Sequence, residues 1–374
     1  MTWLRTIVGS VLVGVGAGLA SALFLFSLEL VTKVRMPWLL PFGGVLLGLV
    51  LQRFHVAAIP RLFQAAATGE GPAVPWRAGP LVLFGTLLTH TFGGSAGREG
   101  TAVQMGGTLG ELVATKLGER RHLIIAGIAG GFGSVFGTPI AGALFGMEVV
   151  AVRRWQWRSA VPAFIASFVG DVVCRRTGVK HTHFPHVEVS GEWWRWLALA
   201  FASALVTLAF VAALHGFKKA GARFSPPQRL FIGGVVVVAL WRLVGTDEFL
   251  GLGVPSIEQA FVTAPERTAF AWKLLFTAAT LGFGFLGGEV TPLFFIGATL
   301  GGALAGPLGL PLDASAGVGL AAIFAAASKS PVALAVMAAE LMGISIFPAA
   351  LAVCVVTTLL TGRFGIYERS VTSM

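Results

Sequence analysis

Two glutamates in glycine-rich, apolar surroundings have side chains that can do chemistry. Glu99 follows Arg98 in residues 93–107, GGSAGREGTAVQMGG, and Glu289 lies in residues 284–292, GFLGGEVTP. A carboxylate can take up and release a proton, and its charged form uses the same hydrogen-bond donors as an anion. We therefore interpret both glutamates as candidates for a proton-linked reaction that involves an anion.

A serine hydrolase is the competing interpretation of the first stretch. Residues 93–97 satisfy the pattern GxSxG around Ser95, and His90 lies nearby. A nucleophile elbow requires a strand before its sharp turn, whereas the preceding residues are typical of a helix and no acidic third member is evident. The hydrolase is therefore a distant alternative, and we expect that the protein is not an enzyme.

A second competing site is a zinc centre at His181, His183 and His186. These histidines lie in a predicted loop that lacks cysteine and lacks an acidic residue at a matching spacing, so the pattern does not fit a structural or catalytic zinc site. A solvated loop is the better interpretation. The sequence predicts no metal and no cofactor.

The chain contains an internal similarity. Residues 138–148 (TPIAGALFGME) and 330–340 (SPVALAVMAAE) each begin with a small hydroxyl residue and a proline, and each ends with a glutamate. Glu99 and Glu289 precede the prolines of these segments by 40 and 42 residues. A duplication with interrupted helices at corresponding places is typical of the binding site of a membrane transporter.

Interrupted helices have an electrostatic consequence. A helix that begins inside a membrane leaves its first backbone N–H groups unpaired at the positive end of its dipole. Two such ends that meet form a site for an anion. Glycine lets the backbone approach the ion, and Pro292 suits the first turn of a new helix. The pattern predicts anion transport without identifying the anion.

Composition identifies the elements that must position these residues. Of the 374 residues, 55% are hydrophobic and 12% are charged, about half the charged share of a soluble domain. Mean hydropathy is +0.82. A membrane span needs roughly 20 apolar residues, and the long apolar runs predict a polytopic all-α membrane protein, some runs being long enough for two helices: 7–26, 80–92, 123–152, 196–214, 230–241, 274–286, 318–327 and 332–360.

The net charge of +10 does not indicate nucleic-acid binding in such a chain. It is better explained by the positive-inside rule, under which cytoplasmic loops carry an excess of lysine and arginine. We expect two basic clusters on the cytoplasmic side: Arg153, Arg154 and Arg158, and Lys218, Lys219, Arg223 and Arg229.

Three motifs together resemble the CLC family of anion channels and proton-coupled exchangers. Residues 97–101 (GREGT) match the family's GREGP-type motif with threonine in place of proline, and residues 287–292 (GGEVTP) stand where its GxFxP-type motif occurs. Residues 361–367 (TGRFGIY) resemble the terminal segment that carries the pore tyrosine, and Tyr367 is the only tyrosine in the chain.

The resemblance implies a fold and an organisation. The expected fold is two inverted repeats of tilted, broken and re-entrant helices. Residues 1–374 would form a single transmembrane domain, with a first half of about residues 1–190 and a second half of about 191–374. No cytoplasmic regulatory domain is expected.

Departures from the chloride-transporting members point to a particular branch. Residues 55–60 (HVAAIP) lack the serine of the family's GSGIP-like segment, and Val149 follows Glu148 where chloride exchangers often have two adjacent glutamates. With GREGT and GGEVTP, these departures resemble the fluoride-exporting branch. That implies one-for-one exchange of fluoride for a proton by a homodimer, with a separate pathway in each subunit, in the inner membrane of a bacterium. A chloride/proton exchanger and a chloride channel are the close alternatives.

We expect different roles for Glu99 and Glu289. Glu99 is the predicted gate, because its carboxylate can occupy an anion site and leave it when protonated. The competing interpretation is a structural ion pair with Arg98, which is disfavoured because adjacent helical residues do not face each other. Arg98 is expected to anchor the break through carbonyls or a distant carboxylate. Glu289 either carries the proton or accepts hydrogen bonds that shape the broken helix.

The remaining candidates concern anion binding. The hydroxyl groups of Thr291 and Tyr367 are potential ligands, with helix packing and a membrane-interface anchor as their alternatives. Phe63 can present its positive ring edge to an anion, although ordinary packing is the safer interpretation. Glu148 and Glu340 are expected to cap or link helices. The predicted anion-binding set is Gly97, Arg98, Gly100, Val290, Thr291, Tyr367 and Phe63.

Overall fold

The computed structural model describes residues 2–54, 59–150 and 157–367. Most of the segment that lacks the serine, residues 55–58, and the cytoplasmic arginines predicted at 153 and 154 lie outside the described residues. Within the described part the chain forms α-helices, short 3₁₀ turns and no strand.

In the described residues, eight α-helices belong to each half. The first half contains α1 (Thr2–Lys33), α2 (Leu40–Arg53), α3 (Ile59–Thr68), α4 (Ala78–Thr91), α5 (Glu99–Leu117), α6 (Arg120–Phe136), α7 (Pro139–Glu148) and α8 (Ala160–Arg176). The second half contains α9 (Trp193–Gly221), α10 (Pro226–Val244), α11 (Val254–Gln259), α12 (Ala269–Gly282), α13 (Val290–Leu308), α14 (Leu312–Ser328), α15 (Pro331–Met342) and α16 (Phe347–Leu360).

The prediction of a polytopic, all-helical membrane protein is confirmed. Five helices in the described residues are long and apolar enough to cross a membrane. Several other apolar helices have only 10–17 residues, too few to span the hydrocarbon core alone. The apolar runs 123–152 and 332–360 each supply two helices. Pro139 begins α7, the second helix of the first run, and Pro331 begins α15, the first helix of the second run.

Close helix crossings explain many of the glycines. A Cβ atom at Gly14 would lie 2.8 Å from the Ala166 carbonyl oxygen, so α1 and α8 pack backbone to backbone. Gly302 and Gly306, which have the same four-residue spacing as Gly14 and Gly18, are different. A Cβ at Gly302 would meet the ring of Pro265, and no described atom lies within 4 Å of a Cβ at Gly306. Gly306 therefore makes no close helix crossing with the residues that the structure describes.

The two similar segments of the halves hold each other in place. The Glu340 carboxylate accepts hydrogen bonds from the amides of Ile140 (3.0 Å) and Ala141 (2.7 Å) in the first turn of α7. Glu148 accepts two from first-turn amides of α15, at 3.2 and 2.8 Å. Each glutamate therefore satisfies the unpaired helix start in the other half, which confirms that these residues cap and link helices.

Candidate functional site

The two glycine-rich breaks meet in a short antiparallel bridge. The Gly97 amide donates to the Gly288 carbonyl at 2.5 Å, and the Gly288 amide donates to the Gly97 carbonyl at 2.8 Å. A Cβ at Gly288 would lie 2.6 Å from the Gly100 nitrogen, and one at Gly97 would lie 2.9 Å from the Pro292 ring. Glycine is required at both positions because the two backbones touch. The bridge brings the starts of α5 and α13 together.

The bridge also fixes how the two halves correspond. Because Gly97 pairs with Gly288, Arg98 corresponds to Glu289, and each is the N-cap residue of the following helix. Glu99 corresponds to Val290, and each is the first residue of its helix. The sequence spacing matched Glu99 with Glu289, and that correspondence is wrong by one residue. The spacings of 40 and 42 residues differ by two and therefore do not give this offset of one.

The Glu99 carboxylate occupies the start of α13. The Thr291 amide donates to it at 3.1 Å, and the Thr291 hydroxyl lies 2.6 and 2.7 Å from its two oxygens. The Arg98 amide donates from the other side at 3.1 Å. Glu99 is fully buried. A negative group held by first-turn donors of a helix is the arrangement by which helix starts bind anions.

Arg98 pairs with its neighbour, contrary to the sequence expectation. Its Nε lies 3.3 Å from Oε1 of Glu99, rather than on carbonyls or a distant carboxylate. The rule that adjacent helical residues face apart does not apply, because Arg98 is the N-cap residue and only Glu99 belongs to the helix. The distance exceeds the usual 2.7–2.9 Å or so of a charge-assisted hydrogen bond. The pair is therefore a loose contact.

Glu289 lies beside the other hydroxyl candidate. The Tyr367 hydroxyl donates a hydrogen bond to the Glu289 carboxylate, and the Phe63 ring packs edge-on against the Tyr367 ring with 4.8 Å between centroids. Glu289 and Phe63 are buried. Phe63 therefore both packs and contacts the tyrosine of the site, while Tyr367 binds a carboxylate.

Two further residues of the predicted anion-binding set lie where the starts of α5 and α13 meet, and neither has a polar side chain. Val290 is buried at the start of α13, and Gly100 follows Glu99 in the first turn of α5. Arg98 lines two cavities, and neither Val290 nor Gly100 belongs to the lining of either one. Their contribution to anion binding stays a prediction.

In the described part of the chain, two cavities border Arg98. A small one, of about 20 Å³, touches Glu99 and Thr291 and is otherwise lined mostly by apolar side chains that include Phe136 and Phe294. A larger and more open one, of about 440 Å³, also contains Lys180 and Glu29 in its lining. Arg98 is the residue that the two linings share.

In the described residues, the side chains of the two competing sites, the serine hydrolase and the zinc centre, do not make the contacts that those sites require. Ser95 Oγ lies 2.9 Å from the Thr277 hydroxyl, while the His90 ring nitrogens contact the carbonyls of Thr86 (2.8 Å) and Ala96 (3.0 Å). His90 is thus bound to carbonyls and not to the serine. No group of three or more His, Cys, Asp or Glu residues in the described part of the chain is arranged to hold a metal ion.

Family comparison agrees with the motifs. The family model described as the voltage gated chloride channel matches residues 43–362. The chain belongs to the voltage gated chloride channel family. Its relatives include the chloride/fluoride channel protein of Pseudomonas syringae pv. tomato, which is 43% identical over 96% of this chain and 84% of the relative. A putative chloride channel protein ClcB-like of Ralstonia nicotianae is 30% identical over 91% and 87%.

Solved structures show the same voltage gated chloride channel family fold. A CLC-type fluoride/proton antiporter has a TM-score of 0.93 and 29% identity, over 98% of this chain and 97% of that one. A slow cyanobacterial Cl⁻/H⁺ antiporter has a TM-score of 0.82 and 20% identity, over 96% and 94%. The latter likeness concerns the fold alone.

Sequence reasoning missed the residues that cover the small cavity. Thr182 and Phe184, from the connection between α8 and α9, and Val254 and Ile257, from α11, line it beside Glu99. Thr182 and Phe184 lie among the three histidines of the candidate zinc pattern, and no motif marks Val254 and Ile257. The single signal was Phe184, an aromatic residue in an otherwise polar histidine-containing stretch.

Proposed function

We propose that the protein is a fluoride/proton antiporter, which exports fluoride from the cytoplasm in exchange for protons. The observation that carries this proposal is the Glu99 carboxylate at the start of α13, held by the amide and the hydroxyl of Thr291. These donors suit a small anion equally well. Glu99 is therefore a competitor for the anion's place.

Protonation of Glu99 is the proposed link between the two ions. A charged carboxylate fills the donors of Thr291, and a neutral carboxylic acid binds them less strongly because it has lost its charge. The side chain then leaves with its proton, and the anion takes its place. One proton is thus tied to one anion movement, which corresponds to one-for-one exchange.

Glu289 is the proposed next station for the proton. Its carboxylate accepts a hydrogen bond from Tyr367, and it occupies the N-cap position next to the bridge between the two breaks. An ionisable residue within a membrane protein is by default a functional candidate. The hydrogen bond from Tyr367 also fits the alternative role of Glu289, in which the carboxylate accepts hydrogen bonds that shape the broken helix.

Fluoride is proposed over chloride on three grounds. The missing serine, the single glutamate before Val149, and the GREGT and GGEVTP motifs all depart from chloride-transporting members. The names of the Pseudomonas syringae relative and of the antiporter structure refer to fluoride. Fluoride also needs dense donors to offset its desolvation, and Thr291 offers two beside Arg98. We further propose a homodimer in a bacterial inner membrane, with a pathway in each subunit.

Flux from vesicles tests the proposal. The purified chain is reconstituted in liposomes loaded with fluoride or chloride, and electrodes follow anion efflux and proton uptake. Fluoride efflux with matching proton entry and little chloride efflux is expected. Equal chloride efflux would identify a chloride/proton exchanger, and anion efflux without protons would identify a channel. Either outcome contradicts the proposed fluoride/proton exchange.

A further inference from the structure

An extended strap lies over the Glu99 end of the site. We use the term strap for residues 182–186, in the connection between α8 and α9. One end is fixed where the ring of His181 contacts the Ser134 carbonyl at 2.9 Å. The other end is fixed at Val187, whose amide donates to the Met342 carbonyl at 2.9 Å and whose carbonyl accepts from the Ser345 hydroxyl.

The strap presents alternate residues to the interior. Thr182 and Phe184 are half-buried and line the small cavity, while His183 and Pro185 are exposed. A period of two is the pattern of an extended segment. Phe184 also packs against Phe261, with 5.3 Å between ring centroids, which holds its ring over the cavity.

The strap lies on the side opposite the predicted cytoplasmic clusters. It connects the ends of two helices that are long and apolar enough to span a membrane. Arg158 lies at the start of the first, Trp157–Arg176, and Lys218 and Lys219 lie at the end of the second, Trp193–Gly221. Arg175 and Arg176, at the strap end of the first, are followed in the connection by Glu188 and Glu192. With Arg158, Lys218 and Lys219 on the cytoplasmic side, the strap covers the outer end of the Glu99 site.

We propose that the small cavity is an outer binding site for a single small anion, covered by the strap and bordered at Arg98 by the larger open cavity. This inference rests on the proposed function and assigns the next position of the exported ion. Its volume of about 20 Å³ is little more than the roughly 10–15 Å³ that one water requires. Fluoride is close to water in size, and chloride is larger.

The lining supplies both charge and a size limit. Arg98 lines both this cavity and the larger cavity that contains Lys180, so a positively charged residue stands beside an ion that passes from one cavity to the other. Phe136, Phe184 and Phe294 form apolar walls, and a phenylalanine ring edge carries a partial positive charge. The size limit is assigned to Phe184, the aromatic wall that the strap contributes and that packs against Phe261.

Truncation of Phe184 tests this site in the vesicle assay. Phe184→Ala enlarges the cavity, and we expect the ratio of chloride to fluoride efflux to rise by about tenfold, the lower end of what shape discrimination in an apolar pocket achieves. Phe168→Ala is the matched control, because Phe168 is exposed on the surface of α8. If Phe184→Ala does not fold, Phe184→Leu tests the same expectation with a smaller increase.

The outcomes separate this inference from the proposed function. A rise in the ratio of chloride to fluoride efflux with Phe184→Ala but not with Phe168→Ala supports the outer site. An unchanged ratio in the Phe184 variants, or an equal rise in the control, overturns the site while fluoride/proton exchange by the wild type stands. A wild-type protein without fluoride efflux overturns the proposed function, and with it the site.

Discussion

At the scale of single residues, the arrangement around Glu99 depends on one hydroxyl more than on any charge. Thr291 donates to the carboxylate through its amide and its hydroxyl, whereas the ion pair with Arg98 is long. Hydrogen bonds to charged groups contribute about 1.5–3 kcal/mol. The Thr291 hydroxyl is therefore the side-chain group whose removal most directly weakens anion binding at this site.

Thr291→Val removes this hydroxyl and keeps the shape of the side chain. We expect the fluoride efflux rate to fall by at least about tenfold, the equivalent of about 1.4 kcal/mol. The measurement is fluoride efflux from liposomes. Thr299→Val is the matched control, because the Thr299 hydroxyl donates to a carbonyl of its own helix, that of Phe295, at 2.7 Å. Equal rates for the two variants would contradict a ligand role for Thr291.

At the scale of helices, sequence patterns predicted the elements better than their relation to each other. The prolines and the apolar runs indicated that α6 is followed by α7 and α15 by α16, and the matching glutamates indicated caps. The register between the two breaks could not be read from spacing, because it is set by the Gly97–Gly288 bridge. That contact joins backbones far apart in sequence, and no side-chain pattern encodes it.

The reciprocal caps give a stability prediction. Glu340→Ala leaves the first-turn amides of α7 without their acceptor, and losing a cap costs about 0.5–2 kcal/mol. We expect a fall in the unfolding temperature of a few degrees in detergent, followed by thermal denaturation, with the fluoride-to-proton ratio unchanged. Glu188→Ala, in an exposed loop, is the control. A loss of coupling without a loss of stability would show that Glu340 carries protons instead.

The strap gives a pH prediction. Burial lowers the pKa of His181 and outweighs its hydrogen bond to the Ser134 carbonyl, which raises that pKa; the smaller effects of the nearby charges are to lower it (Arg175 and Arg98) and to raise it (Asp171). A detached His181 has the higher pKa, about 6.5, so it binds protons more readily than the docked one. The docked strap is therefore fully stable above that value and loses stability as the pH falls.

Hydrogen exchange measures this effect. The backbone amides of residues 182–184, 186 and 187 should exchange faster, relative to the intrinsic rate, at pH 5.5 than at pH 7.5. His181→Gln should abolish the pH dependence, while His183→Gln, at an exposed position, should keep it. A pH dependence that survives in His181→Gln would contradict this assignment.

At the scale of the whole molecule, the site belongs to both halves at once. Glu99 and Arg98 come from the first half, Thr291, Glu289 and Tyr367 come from the second, and the bridge and the reciprocal caps also cross between halves. Sequence motifs predicted the members of this site because each motif is local. The strap that covers it was not predictable, since Phe184 reaches the cavity only through the packing of distant segments.

Proton-coupled fluoride efflux of Glu99→Gln compared with the wild type tests the central claim most directly. Glutamine keeps the size of the side chain but cannot release a proton at the site. In liposomes, the variant should fold and lose coupled exchange, whereas Glu258→Gln, at an exposed position, should retain wild-type fluoride efflux and proton uptake. Proton-driven fluoride efflux that persists in Glu99→Gln would contradict the claim that Glu99 is the gate.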